Sequence, residues 1–274
     1  MLHKIILSSA IIFFSIFFIT CGSDTPTNNN NNGGTPSGIP IIRLTPGSTY
    51  KYNIDSLVNN GGTITTVRTR SVSTDVVQST SIVAGFTCYP IISTTVDTVT
   101  SITQSIDTAY VRYDSTAAKF YQFGISQAIN PTQTATWDLV ADFSNPRNTE
   151  WTIGTINYSI TLPPPFGTVT FSGPLKAKVT DSTTQVTSNG SQTYPCYKTV
   201  MTASISGSTI LGTVSATIIL DYYLGFNHPT ANSAPGIVRV RLNPFAFFLS
   251  TAPVLYLSTV ERILQRATII IITP

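Results

Sequence analysis

The sequence predicts an all-β protein with an antiparallel sheet, and three observations carry that reading. Threonine and serine dominate the 274 residues, with 44 and 29 copies, whereas glutamate occurs twice. The residues that favour helices are therefore scarce. Period-two alternation of apolar and polar residues recurs from Ile39 onward, and clusters of Gly, Pro and Asn separate the runs. At 42% hydrophobic and 10% charged, the chain has ample material for a core. Helical bundles and parallel α/β enzymes do not fit this composition.

Five runs show the alternation most clearly. In Thr49–Asp55, Tyr50, Tyr52 and Ile54 share one face. In Thr136–Phe143, Trp137, Leu139, Ala141 and Phe143 oppose Thr136, Asp138 and Asp142. In Thr155–Leu162, Ile156, Tyr158, Ile160 and Leu162 oppose threonine, asparagine and serine. Leu175, Ala177 and Val179 oppose Lys176 and Lys178, and Val238, Val240 and Leu242 oppose Arg239 and Arg241. Each reads as a strand with one buried and one wet face. Branched threonine suits the wet face of a pleated strand. We expect about 11–14 strands, in a curved open barrel or in two packed half-barrel sheets. Val260–Ala267 comes nearest to a helical period and is still read as a strand.

The N-terminus is an address. Met1–Lys4 is short and basic, and Ile5–Thr20 is a continuous apolar run ending at Cys21. The run is too short for a comfortable span of about 20 residues and suits the apolar region of a signal peptide. A signal stopping at Cys resembles a bacterial lipoprotein signal, with Phe18 and Thr20 where that family prefers Leu and a small residue. The resemblance implies cleavage after residue 20 and acylation of Cys21. It also implies the outer membrane, because Gly22 stands where a retained lipoprotein has Asp. Residues 21–38 then form a tether: Gly22–Gly38 offers no core residue and spans roughly 20–25 Å as a flexible chain. The remaining residues, 39–274, are one β domain. Within it, Gly85–Tyr89 and Gln192–Tyr197 both set an aromatic residue before Cys-Tyr, which suggests a duplication of residues 47–125 and 146–242.

Cys88 and Cys196 remain after Cys21. They form either a disulfide closing a loop of about 108 residues or two buried thiols. Chemistry is otherwise scarce. His228 is the one histidine beyond the signal, Gly-x-Ser-x-Gly is absent, and no His/Cys cluster has zinc spacing. Asp221, beside Tyr222 and Tyr223, is the acid of most interest. The net charge of +3 is spread along the chain, so nucleic acid is not an expected partner. No metal, cofactor or catalytic residue is expected. Two apolar connections stand out: Phe166 after Pro163–Pro165, and Phe245, Phe247, Phe248 and Leu249 after Asn243-Pro244. They either cap a barrel or contact a ligand, a membrane or an envelope protein.

Gly47–Tyr52, Cys196-Tyr197-Lys198, and Tyr222-Tyr223 followed by Ala234–Arg239 together resemble β-rich lipoproteins of bacterial envelopes that have no assigned activity. More remotely, the pattern is similar to the lipoprotein-carrier (LolA/LolB-like) superfamily of open barrels. That resemblance implies a curved antiparallel sheet around an apolar cavity. The function expected is therefore a membrane-anchored, non-enzymatic protein holding an apolar or amphipathic ligand. The alternative is a filled barrel or sandwich that docks another envelope component.

Overall fold

A computed structural model describes residues 44–162, 164–187, 193–225 and 237–268. The signal segment, Cys21, the tether and His228 lie outside the described residues. Fifteen strands and one helix are described: β1 Thr49–Asn60, β2 Thr63–Val77, β3 Ser81–Val83, β4 Phe86–Asp97, β5 Thr103–Asp114, β6 Lys119–Phe123, α1 Ile125–Ile129, β7 Trp137–Asp142, β8 Trp151–Leu162, β9 Gly167–Thr187, β10 Thr193–Thr209, β11 Gly212–Gly225, β12 Ile237–Leu242, β13 Phe245–Leu249, β14 Ala252–Leu257 and β15 Thr259–Thr268. Val260–Ala267 is indeed strand. Twelve of the strands form one continuous path, within the expected range, and β3, β13 and β14 lie off it.

The sheet runs β7-β6-β5-β4-β2-β1-β15-β12-β11-β10-β9-β8, antiparallel throughout, and curls into a nearly closed barrel with one unsealed seam. It is built from two six-stranded runs, β1 to β7 and β8 to β15, that wind in the same sense. They meet twice. At one junction β1 and β15 share a ladder from Thr49↔Thr268 to Leu57↔Thr259. At the other, β7 and β8 share none.

The core lies inside the barrel, where the alternation sends most of it; in β7 an irregular register instead buries Asp138 and Val140 and leaves Trp137 and Leu139 half-buried. Tyr52, Phe120, Phe171, Tyr222 and Phe247 are fully buried there with Ile91, Val111 and Val140. Burial of aromatic rings of this size is the main stabilising term. One buried ion pair accompanies them. The Arg262 guanidinium meets the Asp75 carboxylate and lies 3.8 Å from the centroid of the Tyr52 ring. Ser93 donates to the same carboxylate at 2.7 Å.

The register also builds a charged row across five strands. Asp221 stands opposite Arg241, Arg241 opposite Glu261, Glu261 opposite Asp55, and Asp55 opposite Arg68. The three acids are 2–5% exposed. Longer basic side chains cover them: Arg239 binds Glu261, Arg68 binds Asp55, and Lys198 reaches Asp221 at 3.1 Å. The basic strand Arg239–Leu242 thus spends its charge inside the sheet.

Candidate functional site

The ladder beside β11 breaks where the sequence puts a proline. β12 pairs with β11 as far as Leu242↔Leu220, and β13 resumes at Phe248↔Ser215. Between them lies Pro244, which has no N–H to donate. Asn243 anchors the near side of the gap, its N–H donating to the Ile219 carbonyl at 2.9 Å and its amide to Asp221 at 3.2 Å. The chain bows away from β11 and leaves an open groove of about 540 Å³.

The groove's lining follows from strand parity. β10 and β11 contribute the pairs Ser204↔Thr217 and Ser206↔Ser215, with Ile205 and Ala216 between them turned into the core, and the bowed segment adds Pro244, Phe245, Ala246 and Phe248. A floor of hydroxyls therefore faces an apolar wall. No lining residue is charged, and its hydroxyls and apolar side chains suit a neutral amphipathic molecule. Its volume falls within the range of small-molecule sites, about 300–1,000 Å³.

The structure separates the apolar residues that the sequence grouped. Phe247 is fully buried and packs on Phe171 at 4.8 Å between ring centroids, so it caps the core. Phe245 is half-buried, lies 5.7 Å from Phe247 and reaches the groove. Phe248, at 36% exposure, lines the groove from outside. Leu249 is half-buried and touches the core. Phe166 lies in the β8–β9 turn, half-buried against the core and away from the groove's lining. The sequence named Phe245 and Phe248 as candidate ligand contacts but not the β10 and β11 hydroxyls opposite them; Asn243-Pro244 inside a strand run was the signal for the broken ladder.

Of the two readings of Cys88 and Cys196, the structure has the buried thiols and not the disulfide. Both are free and buried, on β4 and β10, with five strands between them in the sheet. Their sulfurs face Ser81 and the Tyr194 carbonyl respectively, each at 3.5 Å. Burial pushes the Cys196 thiol up to about 12, which keeps it protonated and unreactive. Asp221 likewise serves the charged row. Among the described residues no cluster of His, Cys, Asp and Glu could hold a metal ion. An aromatic box on the outer wall is already filled: the Arg112 guanidinium lies 3.9 Å from the Tyr121 centroid and 4.2 Å from that of Phe86.

The unsealed seam is plugged rather than empty. Trp151 of β8 donates its indole N–H to the Leu139 carbonyl of β7 at 2.7 Å. Helix α1 lies over β8 with Ile125 and Ile129 fully buried. Gly154 makes room for it, since a Cβ there would stand 3.3 Å from Ser126 Cβ. Asp138 of β7 holds the helix start, accepting from the Ser126 N–H at 2.8 Å and the Ser126 hydroxyl at 3.1 Å. Burial pushes the Asp138 carboxyl up, against those hydrogen bonds.

No protein-family model matches the sequence, and no curated protein matches it. Two solved structures are similar to the chain. One is a "putative lipoprotein" from Parabacteroides distasonis, with a TM-score of 0.46 and 10% identity. The other is a "putative exported protein with YmcC-like fold" from Bacteroides fragilis, with a TM-score of 0.42 and 15% identity. Each comparison covers 82% of this chain and 96% of the other.

Proposed function

We propose that the chain is a lipid-anchored, non-enzymatic protein of the bacterial cell envelope that holds a neutral amphipathic molecule in the groove between β11 and β13. The observation that carries the binding part is the lining of serine and threonine hydroxyls on β10 and β11 facing Pro244, Phe245 and Phe248, without a charged group. The anchor rests on the sequence, where Ile5–Thr20 leads into Cys21 and a core-free tether. Gly22 after the Cys supports the outer membrane as the destination.

Native mass spectrometry of the full chain, released from detergent, tests the binding. The expected spectrum shows added mass that is lost on denaturation and is absent from Ser206→Trp, whose indole fills the groove from an exposed position. A bare wild-type mass overturns ligand binding. It favours the second reading, an interaction protein, for which the filled interior around Phe171, Tyr222 and Phe247 already speaks. Cys21→Ser tests the anchor separately: loss of the acyl mass and of membrane fractionation is expected, and unchanged fractionation removes the lipoprotein reading.

A further inference from the structure

Antiparallel strands sort their connections by rim. Leu44–Ser48 enters at the near rim, which also carries the β5–β6 turn between Asp114 and Lys119 and the 143–150 connection with Arg147 and Glu150. The far rim carries residues 61–62, 98–102, 164–166, 210–211 and 250–251; residues 78–80 and 84–85 lie toward the near rim beside Val77 and Phe86, and 124–136 lies against the seam. None of the five far-rim connections contains an Asp, Glu, Lys or Arg, though the Asp97 carboxylate at the end of β4 accepts from the Val99 and Thr100 N–H groups.

Apolar side chains stand exposed on that same rim. Ile210 is 89% exposed, Val99 65% and Ile102 63%, with Leu211 and Ile64 at 47% and 45%. Of the large hydrophobic residues exposed among the described residues, Ile82 and Phe86 alone lie toward the near rim. Separate uncharged tips, each offering one or two aliphatic side chains amid Thr, Ser, Gly and Pro, do not make the contiguous patch of a protein interface. They suit shallow insertion at the level of lipid headgroups, where the aliphatic tips bury apolar area and the flanking polar groups stay wet.

We propose, resting on the reading of Cys21 as a lipid anchor, that the far rim docks on the lipid surface that holds that anchor. The length of chain ahead of the barrel permits it. Residues 21–43 can extend up to roughly 75–80 Å, whereas a 12-residue wall strand such as β1 is about 40 Å long. The tether can therefore run the full height of the barrel and leave the far rim facing the bilayer.

The test uses the full chain in vesicles of phosphatidylethanolamine and phosphatidylglycerol. Ile210→Cys, Ile102→Cys and the near-rim Ser115→Cys are each labelled with an environment-sensitive fluorophore; the native Cys88 and Cys196 are buried and stay unlabelled. The expected result is a blue shift at the two far-rim sites, with most of the emission lost to spin-labelled lipid, and neither effect at position 115. Adding Leu211→Asp beside Ile102→Cys should weaken that quenching while the far-ultraviolet circular dichroism stays unchanged. Three outcomes overturn the proposal. Equal emission at all three sites of a chain that floats with the vesicles means that the anchor alone touches the membrane, whereas a chain that does not float fails the anchor reading and the docking with it. A blue shift without quenching means that the rim is covered by protein, either a second copy or a partner.

Discussion

The two junctions between the six-stranded halves solve one problem in different ways. β1 and β15 are joined by a continuous backbone ladder, and that ladder tolerates awkward side chains. Asp55 and Glu261 stand directly opposite each other, a like-charge pairing that destabilises a sheet, and Arg68 and Arg239 compensate from either side. On the other face the same junction buries Arg262 with Asp75. β7 and β8 have no ladder, and what spans them is nearly neutral: an indole, two isoleucines, a glycine and one carboxyl that burial biases toward its neutral form. Where main-chain hydrogen bonds are available, the protein places its charges. Where they are missing, it packs.

The comparison can be broken or sharpened by measurement. The largest effect is expected at the sealed junction. Arg262→Ala leaves the Asp75 carboxylate buried without its guanidinium and should cost about 3–5 kcal/mol by denaturant unfolding. A loss no larger than that of an exposed arginine would mean that the pair is not the strut of that junction. Trp151→Phe is next. It leaves the Leu139 carbonyl without its donor, at about 1–3 kcal/mol. Hydrogen exchange should quicken in β7 and β8 and not in β1 and β15; uniform quickening would erase the distinction between the junctions.

Gly154→Ala presses a methyl group against Ser126 and should cost about 1 kcal/mol, with the added exchange confined to α1 and β7. The smallest effect concerns pH. The raised Asp138 carboxyl binds its proton more tightly in the folded chain than in the unfolded one. Its contribution to stability therefore falls as pH rises from about 4. Asp138→Asn removes that loss, so the change in unfolding free energy between pH 4 and pH 7 should be more favourable than in the wild type. Parallel curves for the two proteins would show that Asp138 is solvated and that the seam is wetter than its packing implies.

Much of this architecture was legible in the sequence, because period-two alternation survives any tertiary context that buries one face. Tyr50, Tyr52, Ile156 and Val240 fell where their parity put them. Helix α1 was not legible, since five residues hold too little of a 3.6-residue period to register. The charged row was hidden for another reason: Asp55 and Glu261 are neighbours through the closure of the barrel, across most of the chain. The groove lay between these extremes. Pro244 announced a broken ladder, but which of Phe245, Phe247 and Phe248 turned inward depended on an irregular register between Phe247 and Phe248.

The pairing of β1 with β15 also sets the order of assembly. The first strand of the barrel is closed by the last, so β1 keeps one edge unpaired until Thr259–Thr268 has been delivered. Contacts of such long sequence separation make folding slow, because loop-closure entropy must be overcome before the ladder rewards it. Until then the N-terminal half is a curled sheet with both borders open, the state in which exposed edges recruit other chains. A chain cut short before Thr259 would be caught there permanently, and any cell that exports this protein must shelter that interval.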